Sequence, residues 1–315
     1  MPQAPYWPGR RVLVTGGRGF LGRRVVRRLR AAGADVSAPG SRDYDLRDRR
    51  QAADLFSEED FATVIHLAAR VGGIGYNRAH PAELFLDNAL MGAHVIDEAY
   101  RAGVERLLVV GTICSYPKHT PTPFREETFW DGYPEETNAP YGLAKRGVIT
   151  QAAAYRAQYG FRTSAVVPVN LYGPEDNFDP QSSHVIPAMI RKMSDARGGA
   201  VTLWGTGTPT REFLFVEDAA EAIVRAAEKH DSSDIINLGT GREVAIRALA
   251  EKVAAAVGYR GEVRWDAAMP AGQPRRVLDV ARARAVLGWA ATTPLDVGLA
   301  QTAAWWRAQR AQGVA

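Results

Sequence analysis

Hydrophobic and polar positions alternate along the first half of the chain in a way that predicts strands followed by helices. Between the candidate strands, apolar residues recur every three or four positions at residues 20–32, 81–103 and 141–160, which is helical spacing. Short apolar runs that end in glycine, proline or polar residues predict buried strands at residues 11–16, 34–39, 63–69, 106–112 and 162–170. This alternation predicts an α/β fold, a Rossmann-type doubly wound parallel sheet with helices on both faces.

The pattern changes after Asn170. Residues 171–187 are rich in Pro, Asp, Asn and Ser, which predicts a long loop of functional type. The last third mixes short helices with isolated strands at 200–205 and 262–265. We therefore expect a larger domain over residues 1–172, to which a segment at about 214–240 returns. A smaller C-terminal substrate domain is expected over residues 173–213 and 241–315.

Composition and charge narrow the class of protein. Of the 315 residues, 46% are hydrophobic and 23% charged, as in soluble globular enzymes. The net charge is +4, but the densest basic stretch, residues 22–30, reads as the polar face of an amphipathic helix, so no nucleic-acid partner is expected.

The sequence also indicates where the protein is located and whether it binds a metal. We find no signal-like N-terminus and no apolar run of membrane-spanning length, and a lone cysteine suits a reducing compartment, so a cytoplasmic protein without membrane association is expected. The histidines show no ligand spacing, which predicts no metal site.

A glycine-rich segment at residues 12–22, VLVTGGRGFLG, is the sharpest local motif. It follows an apolar strand and opens an amphipathic helix. Gly16, Gly17, Gly19 and Gly22 fit the spacing with which a tight turn lets the backbone approach a pyrophosphate at a helix N-terminus. The segment therefore predicts a dinucleotide site, so the larger domain is expected to bind a dinucleotide.

The end of the second strand bears on which dinucleotide binds. An NAD site usually places an acidic residue there, against the ribose hydroxyls. This chain has Ser41 and Arg42 at that point and Arg18 in the glycine-rich loop, which favours the 2′-phosphate of NADP. Asp43 follows directly, so NAD stays the alternative.

Tyr141 and Lys145 are four residues apart at the start of a predicted helix and so share one of its faces. Thr112 ends a preceding strand. A nearby lysine ammonium, together with a nicotinamide cation, is expected to lower the pKa of Tyr141 and make it a usable proton donor or acceptor. Threonine, tyrosine and lysine together predict a hydride-transfer site.

These motifs resemble the extended short-chain dehydrogenase/reductase family of nucleotide-sugar enzymes. The family resemblance rests on TGGRGFLG, YGLAK, NLYGP and REFLFVED. Longer segments resemble the GDP-L-fucose synthase branch, whose members are 3,5-epimerase/4-reductases. The resemblance covers roughly residues 10–305, and these segments lie at 68–77, 111–118, 136–145, 170–178, 182–192, 203–214 and 272–279.

The resemblance implies an NADP-dependent GDP-sugar 3,5-epimerase/4-reductase that acts on a GDP-4-keto-6-deoxyhexose. Its reductase set would be Thr112, Tyr141 and Lys145. Its epimerase pair would be Cys114 and His184, whose thiol and imidazole have pKa values suited to moving protons at carbons beside a ketone. It also implies a homodimer in which helices 83–101 and 142–158 pair across the axis.

The resemblance further implies binding residues in both domains. The cofactor contacts would be Gly16, Gly17, Arg18, Gly19, Phe20, Leu21, Gly22, Ser41, Arg42, Asp45, Leu46, Leu67, Ala68, Ala69, Tyr141, Lys145 and Pro168. In the nucleotide-sugar-binding domain and at its edge, the sugar would be oriented by Asn170 and Asn177, and the nucleotide held by Lys192, Trp204, Arg211 and Arg276.

Two alternatives stay open. A redox-neutral epimerase of the GDP-mannose 3,5-epimerase or 4-epimerase type would use the same fold with tightly bound NAD. A non-catalytic dinucleotide-binding protein is the other. The chain also departs from its branch at Ile113 and Ser115, on either side of Cys114, and at Lys192, where arginine is common.

Overall fold

The computed structural model describes residues 5–196, 198–269 and 273–313. The predicted limits at residues 1 and 315, and Gly272 of the segment 272–279, lie outside the described residues. The strands are β1 Arg11–Thr15, β2 Asp35–Ser37, β3 Thr63–His66, β4 Arg106–Val110, β5 Arg162–Pro168, β6 Asn170–Tyr172, β7 Val201–Trp204, β8 Thr210–Phe215, β9 Ile235–Leu238, β10 Glu243–Ala245 and β11 Val263–Asp266. The α-helices are α1 Phe20–Ala31, α2 Arg49–Glu58, α3 Ile74–Ala79, α4 Pro81–Arg101, α5 Ala139–Tyr159, α6 Val185–Asp195, α7 Val216–Lys229, α8 Ile246–Val257 and α9 Leu295–Ala311.

The main sheet has six parallel strands in the order β2-β1-β3-β4-β5-β9. The chain passes from β1 to β2 on one side and returns to β3 on the other, so the strand order reverses between β1 and β3. In an open α/β sheet, the carboxyl ends of the strands at such a reversal form a ligand crevice. The predicted doubly wound sheet is confirmed.

The main sheet is apolar on both faces because helices cover both. Val12, Leu13 and Val14 of β1 are fully buried, as are Val25 and Leu29 on the inward face of α1. The arginines predicted to be the outer face of this helix are mostly exposed, as the amphipathic spacing requires. Arg24 is the exception, because its buried guanidinium reaches the carboxylate of Glu175 at 3.3 Å.

A second apolar cluster lies in the C-terminal part of the chain. Two small sheets flank it, β10-β8-β6 and β11-β7, and α6, α8 and α9 pack around it. Ile186, Ile190 and Leu249 lie at its centre, and Phe178 stacks on Trp306 with ring centroids 4.2 Å apart. The domain limits expected from the sequence stay a prediction. The segment expected to return does so through α7 and β9, while β8 belongs to a small sheet.

The strand predicted at 162–170 is two strands in the structure. The N–H of Val169 donates to the carbonyl of Leu238 in the main sheet, and β6 then pairs with β8 in the small sheet. This divergence carries the chain from one apolar cluster to the other. Of the helices in the described part of the chain, none combines the length and apolar character needed to cross a bilayer.

Candidate active site

A cavity of about 1280 Å³ opens at the carboxyl ends of the main-sheet strands and extends to the C-terminal cluster. Its wall includes the loop after β1, the ends of β4 and β5, the start of α5 and one side of α6. Apart from Gly17, every residue predicted above to catalyse, to hold the cofactor or to bind substrate lines this cavity.

The glycine-rich loop fits a pyrophosphate because its backbone has no room for side chains. Gly16 has a φ of +68°, and a Cβ there would lie 2.8 Å from the amide nitrogen of Ala68. A Cβ on Gly22 would lie 2.6 Å from the Cα of Gly17. Gly19 precedes α1 and has no side chain with which to cap it, so the first N–H groups of α1 face an anion-sized cradle.

Gly17 has a different structural role in this loop. Its added Cβ would lie 2.7 Å from the Cβ of Ala38 and 2.8 Å from the carbonyl oxygen of Val14. The residue therefore lies behind the loop, where it lets α1 and the end of β2 pack closely. The sequence pattern shows how the glycines are spaced but does not indicate which side of the loop each glycine faces.

Asp43 is engaged by protein groups at the end of β2. Its Oδ2 lies 2.8 Å from Nη2 of Arg18 and accepts the N–H of Gly40 at 2.8 Å. Arg18 also donates to the carbonyl of Ala38. Asp43 is thus engaged by Arg18 and Gly40, while Ser41 and Arg42 line the cavity.

Thr112, Tyr141 and Lys145 meet at the floor of the cavity. Burial is the main cause that raises the pKa of Tyr141 above its usual value, and its hydrogen bond to Thr112 only partly opposes this. In the protein by itself, desolvation of the phenol outweighs the hydrogen bond from Thr112, and the lowered pKa expected with a nicotinamide cation stays a prediction. Burial lowers the pKa of Lys145 to about 8. The tyrosine is thus a protonated acid near neutral pH.

The start of α5 packs directly on the turn that carries Cys114. A Cβ on Gly142 would meet the carbonyl oxygen of Cys114 and lie 3.0 Å from its carbonyl carbon. Oγ1 of Thr112 accepts the N–H of Cys114 at 3.2 Å. Glycine at position 142 therefore allows Tyr141 and Cys114 to approach one site.

Ser115 and Ile113, the two departures from the family branch beside Cys114, each have a structural role. Ser115 is buried and donates its hydroxyl to the carbonyl of Gly142 at 2.9 Å, which ties the turn to α5. Ile113 is buried in the main core. The bond from the Ser115 hydroxyl to Gly142 therefore holds the Cys114 turn against α5.

Two arginines converge on the thiol. Nη1 of Arg276 lies 3.7 Å from Sγ of Cys114, and Nε of Arg276 donates to Oε1 of Gln273. Burial, and then the charge of Arg276, lower the pKa of Arg211 to about 10, while Cys114 acts in the opposite direction. Cys114 also raises the pKa of Tyr141. The electrostatic states of these side chains are therefore coupled.

His184 lies at the start of α6, where it precedes the first helical residue. Burial lowers the pKa of its imidazole. The preceding loop is fixed by bonds from the N–H of Gly73 to the carbonyl of Ser182, at 3.0 Å, and from Nδ2 of Asn177 to Oγ of Ser182, at 2.8 Å. The long loop predicted from composition is thus ordered where it faces the cavity.

The remaining predicted substrate residues line the far part of the cavity. Nζ of Lys192 donates to the carbonyl of Thr202 at 3.1 Å, and Nδ2 of Asn170 donates to the carbonyl of Glu212 at 2.9 Å. Trp204 exposes 47% of its surface, which leaves its ring available to a planar base. A core position for this tryptophan is thereby excluded.

The sequence analysis missed an amide pair and a carboxyl group in the cavity wall. Nδ2 of Asn77 donates to Oδ1 of Asn138 at 2.9 Å and joins α3 to the start of α5. Asp176 accepts the N–H of Asn177 through Oδ1, its Oδ2 is buried without a partner, and burial raises its pKa to about 7. These three residues lie in segments that carry the family resemblance, yet nothing in the sequence distinguishes them from their neighbours.

Within residues 5–196, 198–269 and 273–313, no group of three or more His, Cys, Asp or Glu side chains could hold a metal ion.

Comparisons with known proteins show which proteins this chain resembles. The model of the "NAD dependent epimerase/dehydratase family" matches residues 12–239. The GDP-L-fucose synthase of Escherichia coli (strain K12) is 40% identical over 308 residues, which cover 94% of this chain and 96% of that protein. The GDP-L-fucose synthase of Sinorhizobium fredii is 39% identical over 297 residues, 93% of this chain and 94% of that protein. A GDP-L-fucose synthetase structure from Naegleria fowleri bound to NADP is 26% identical, with a TM-score of 0.89, and covers 99% of this chain and 98% of that one.

Proposed function

The chain belongs to the NAD-dependent epimerase/dehydratase family, and from that premise we propose that it is an NADP-dependent epimerase/reductase of the GDP-L-fucose synthase type. Its substrate is a GDP-4-keto-6-deoxyhexose, which it inverts at C3 and C5 and reduces at C4. The relatives at 39–40% identity support the reaction class and the GDP-sugar. One observation carries the proposal furthest: a thiol, an imidazole and a hydride-transfer set line one cavity.

The residues present fit NADPH. The loop from Gly16 to Gly22 would hold the pyrophosphate, and Arg18, Ser41 and Arg42 lie at the end of β2, where a 2′-phosphate would be held. When bound, this cofactor supplies the hydride for C4. The engagement of Asp43 by Arg18 supports NADP over NAD.

Epimerisation falls to Cys114 and His184. The 4-keto group acidifies the hydrogens on C3 and C5. A proton moves from carbon to Sγ of Cys114, the C–H electron pair enters an enolate with its charge on the keto oxygen, and His184 returns a proton to the opposite face. Burial lowers the pKa of His184, so its imidazolium is a strong proton donor but a minor form at neutral pH. Exchange with water restores both groups.

Reduction is carried out by Tyr141 and Lys145 on α5 and by Thr112, which follows β4. Thr112 bonds to Tyr141, and both face the cavity, where they are placed to hold the C4 oxygen. Because the pKa of Tyr141 is raised by burial, the phenol keeps its proton until negative charge develops on that oxygen. Tyr141 then donates, and the ammonium of Lys145 stabilises the phenolate that results.

A substrate assay tests the proposal. We expect the protein to oxidise one NADPH for each molecule of GDP-4-keto-6-deoxymannose consumed, as followed by absorbance. Product isomers without NADPH loss would instead favour the redox-neutral epimerase with bound NAD, and no turnover of any GDP-sugar would overturn the substrate assignment.

The variant Cys114→Ser separates the two halves of the reaction. It should keep 4-keto reduction and yield a sugar that is not inverted, with epimerisation slowed at least about 100-fold, the usual range for a lost acid–base group. NMR of the product sugar measures this. An inverted product at the wild-type rate would contradict the role given to Cys114.

We further propose a cytoplasmic homodimer. A lone cysteine stays reduced in that compartment. Leu86 on α4 and Tyr159 on α5 expose large apolar side chains on the two helices that the family resemblance assigns to the dimer axis.

A further inference from the structure

Arg276 is a buried cation whose described partners are unusual. Only 7% of its surface is exposed. Its guanidinium contacts the neutral amide oxygen of Gln273 and the sulfur of Cys114. Among the residues that the structure describes, no carboxylate forms an ion pair with it, whereas the neighbouring Arg275 pairs with Glu243. A buried guanidinium without a carboxylate creates a demand for another anion.

The position of Arg276 is set by the chain rather than by substrate. Gln273 accepts from Nε of Arg276, and Nε2 of Gln273 donates to the carbonyl of Lys118 at 2.6 Å. Two backbone bonds reinforce the connection, since the N–H of Phe124 donates to Val277 and the N–H of Asp279 donates to Phe124. The arginine is thus fastened to the segment that follows the Cys114 turn.

The thiol of Cys114 is a titratable group in direct contact with this arginine. A thiolate is both the proton-accepting form of cysteine and the form that a neighbouring cation stabilises. Arg211 adds a second positive charge, since its electrostatic coupling extends to both Arg276 and Cys114. The sulfur therefore lies 3.7 Å from one guanidinium group and within the electrostatic reach of a second.

We propose that Arg276 is a positioning residue for Cys114, whose guanidinium holds the sulfur as a thiolate aimed into the cavity, ready to accept a proton from carbon. The sequence resemblance placed Arg276 among the groups that hold the nucleotide, and the geometry assigns it to the acid–base pair instead. The inference rests on the proposed function, because a thiolate matters there only if Cys114 accepts a proton from the sugar. The charge state of the sulfur can still be measured without any sugar.

The chain offers a direct measurement because Cys114 is its only cysteine. Every iodoacetamide adduct on a cysteine therefore reports this sulfur, which lines the cavity and is accessible to a small reagent. The rate of adduct formation is followed by intact-protein mass spectrometry from pH 6 to pH 9 in wild type, Arg276→Met and Arg276→Lys. Arg275→Met is the matched control, since that exposed neighbour pairs with Glu243.

We expect Arg276→Met to shift the rise of the alkylation rate to higher pH by about one unit, which is about tenfold slower reaction at pH 7. Arg276→Lys should recover most of the loss, and Arg275→Met should follow the wild-type curve. Equal alkylation of all four proteins in urea, and equal melting temperatures, show that the shift belongs to the folded site.

Other outcomes have definite meanings. If Arg276→Met is alkylated along the wild-type curve while GDP binding weakens, the arginine holds the nucleotide and the inference is overturned. If the variant does not fold, Arg276→Lys alone decides, because a retained cation must keep the alkylation curve near that of wild type. A shifted curve in a protein that turns over no GDP-sugar supports the thiolate contact and contradicts the proposed function.

Discussion

Lys145 shows how one buried side chain sets activity and stability against each other. Burial lowers its pKa to about 8, so its ammonium group is present at neutral pH at an energetic cost. A lysine whose folded pKa lies below its unfolded value favours the neutral form in the fold. Protein stability therefore rises with pH between about 8 and about 10.5, where the unfolded chain binds more protons.

Activity should move in the opposite direction. Because the proposed mechanism uses the ammonium to stabilise the tyrosinate formed in reduction, we expect kcat/KM for NADPH oxidation to be level below about pH 7.5 and to fall as pH rises above about 8. Lys145→Met should lose this activity at least about 100-fold and yet unfold in urea with a free energy roughly 2 kcal/mol higher at pH 7. A variant that is both inactive and less stable would show that the lysine is structural.

At the scale of elements, the contact between α5 and the Cys114 turn determines the site. Gly142 allows this approach, and a methyl group there would strike backbone atoms that cannot rotate away. We expect Gly142→Ala to destabilise the protein by about 1–3 kcal/mol. It should also lower both epimerisation and reduction, because it displaces Cys114 relative to Tyr141.

Gly147 is the matched control in the same helix. A Cβ there meets nothing within 4 Å among the residues that the structure describes, so Gly147→Ala should keep activity and gain about 0.5–1 kcal/mol from helix propensity. Urea unfolding and steady-state rates measure both variants. Equal effects of the two substitutions would mean that helix propensity, and not the turn contact, explains the change.

The elements were predictable where a residue's neighbours in sequence determine its environment. The apolar runs gave the main strands, and α5, expected at 141–160, begins two residues earlier at Ala139. Contacts distant in sequence were not predictable. The pairing of Asn77 with Asn138 spans 61 positions and that of Arg276 with Cys114 spans 162, and no periodicity records either. The raised pKa of Tyr141 was missed because burial is a property of the assembled fold.

At the scale of the whole molecule, the outer faces of α4 and α5 predict assembly. Leu86 is 55% exposed, and a homodimer would cover it. Light scattering should give about twice the chain mass of 34.3 kDa, and Leu86→Glu should lower that mass toward one chain because it buries a charge at the axis. Val286→Glu, 45% exposed and outside these helices, is the control. An unchanged mass in both variants would place the interface elsewhere.

The single sulfur in the cavity also concerns stereochemical fidelity under oxidative stress. A thiolate is the form of cysteine that peroxides attack, and Cys114 borders an open cavity. In the proposed mechanism, hydride transfer depends on Tyr141 and Lys145 and needs no sulfur. An oxidised enzyme would therefore keep consuming NADPH while delivering the wrong stereoisomer, so that damage at one atom changes the identity of the product before it changes the flux.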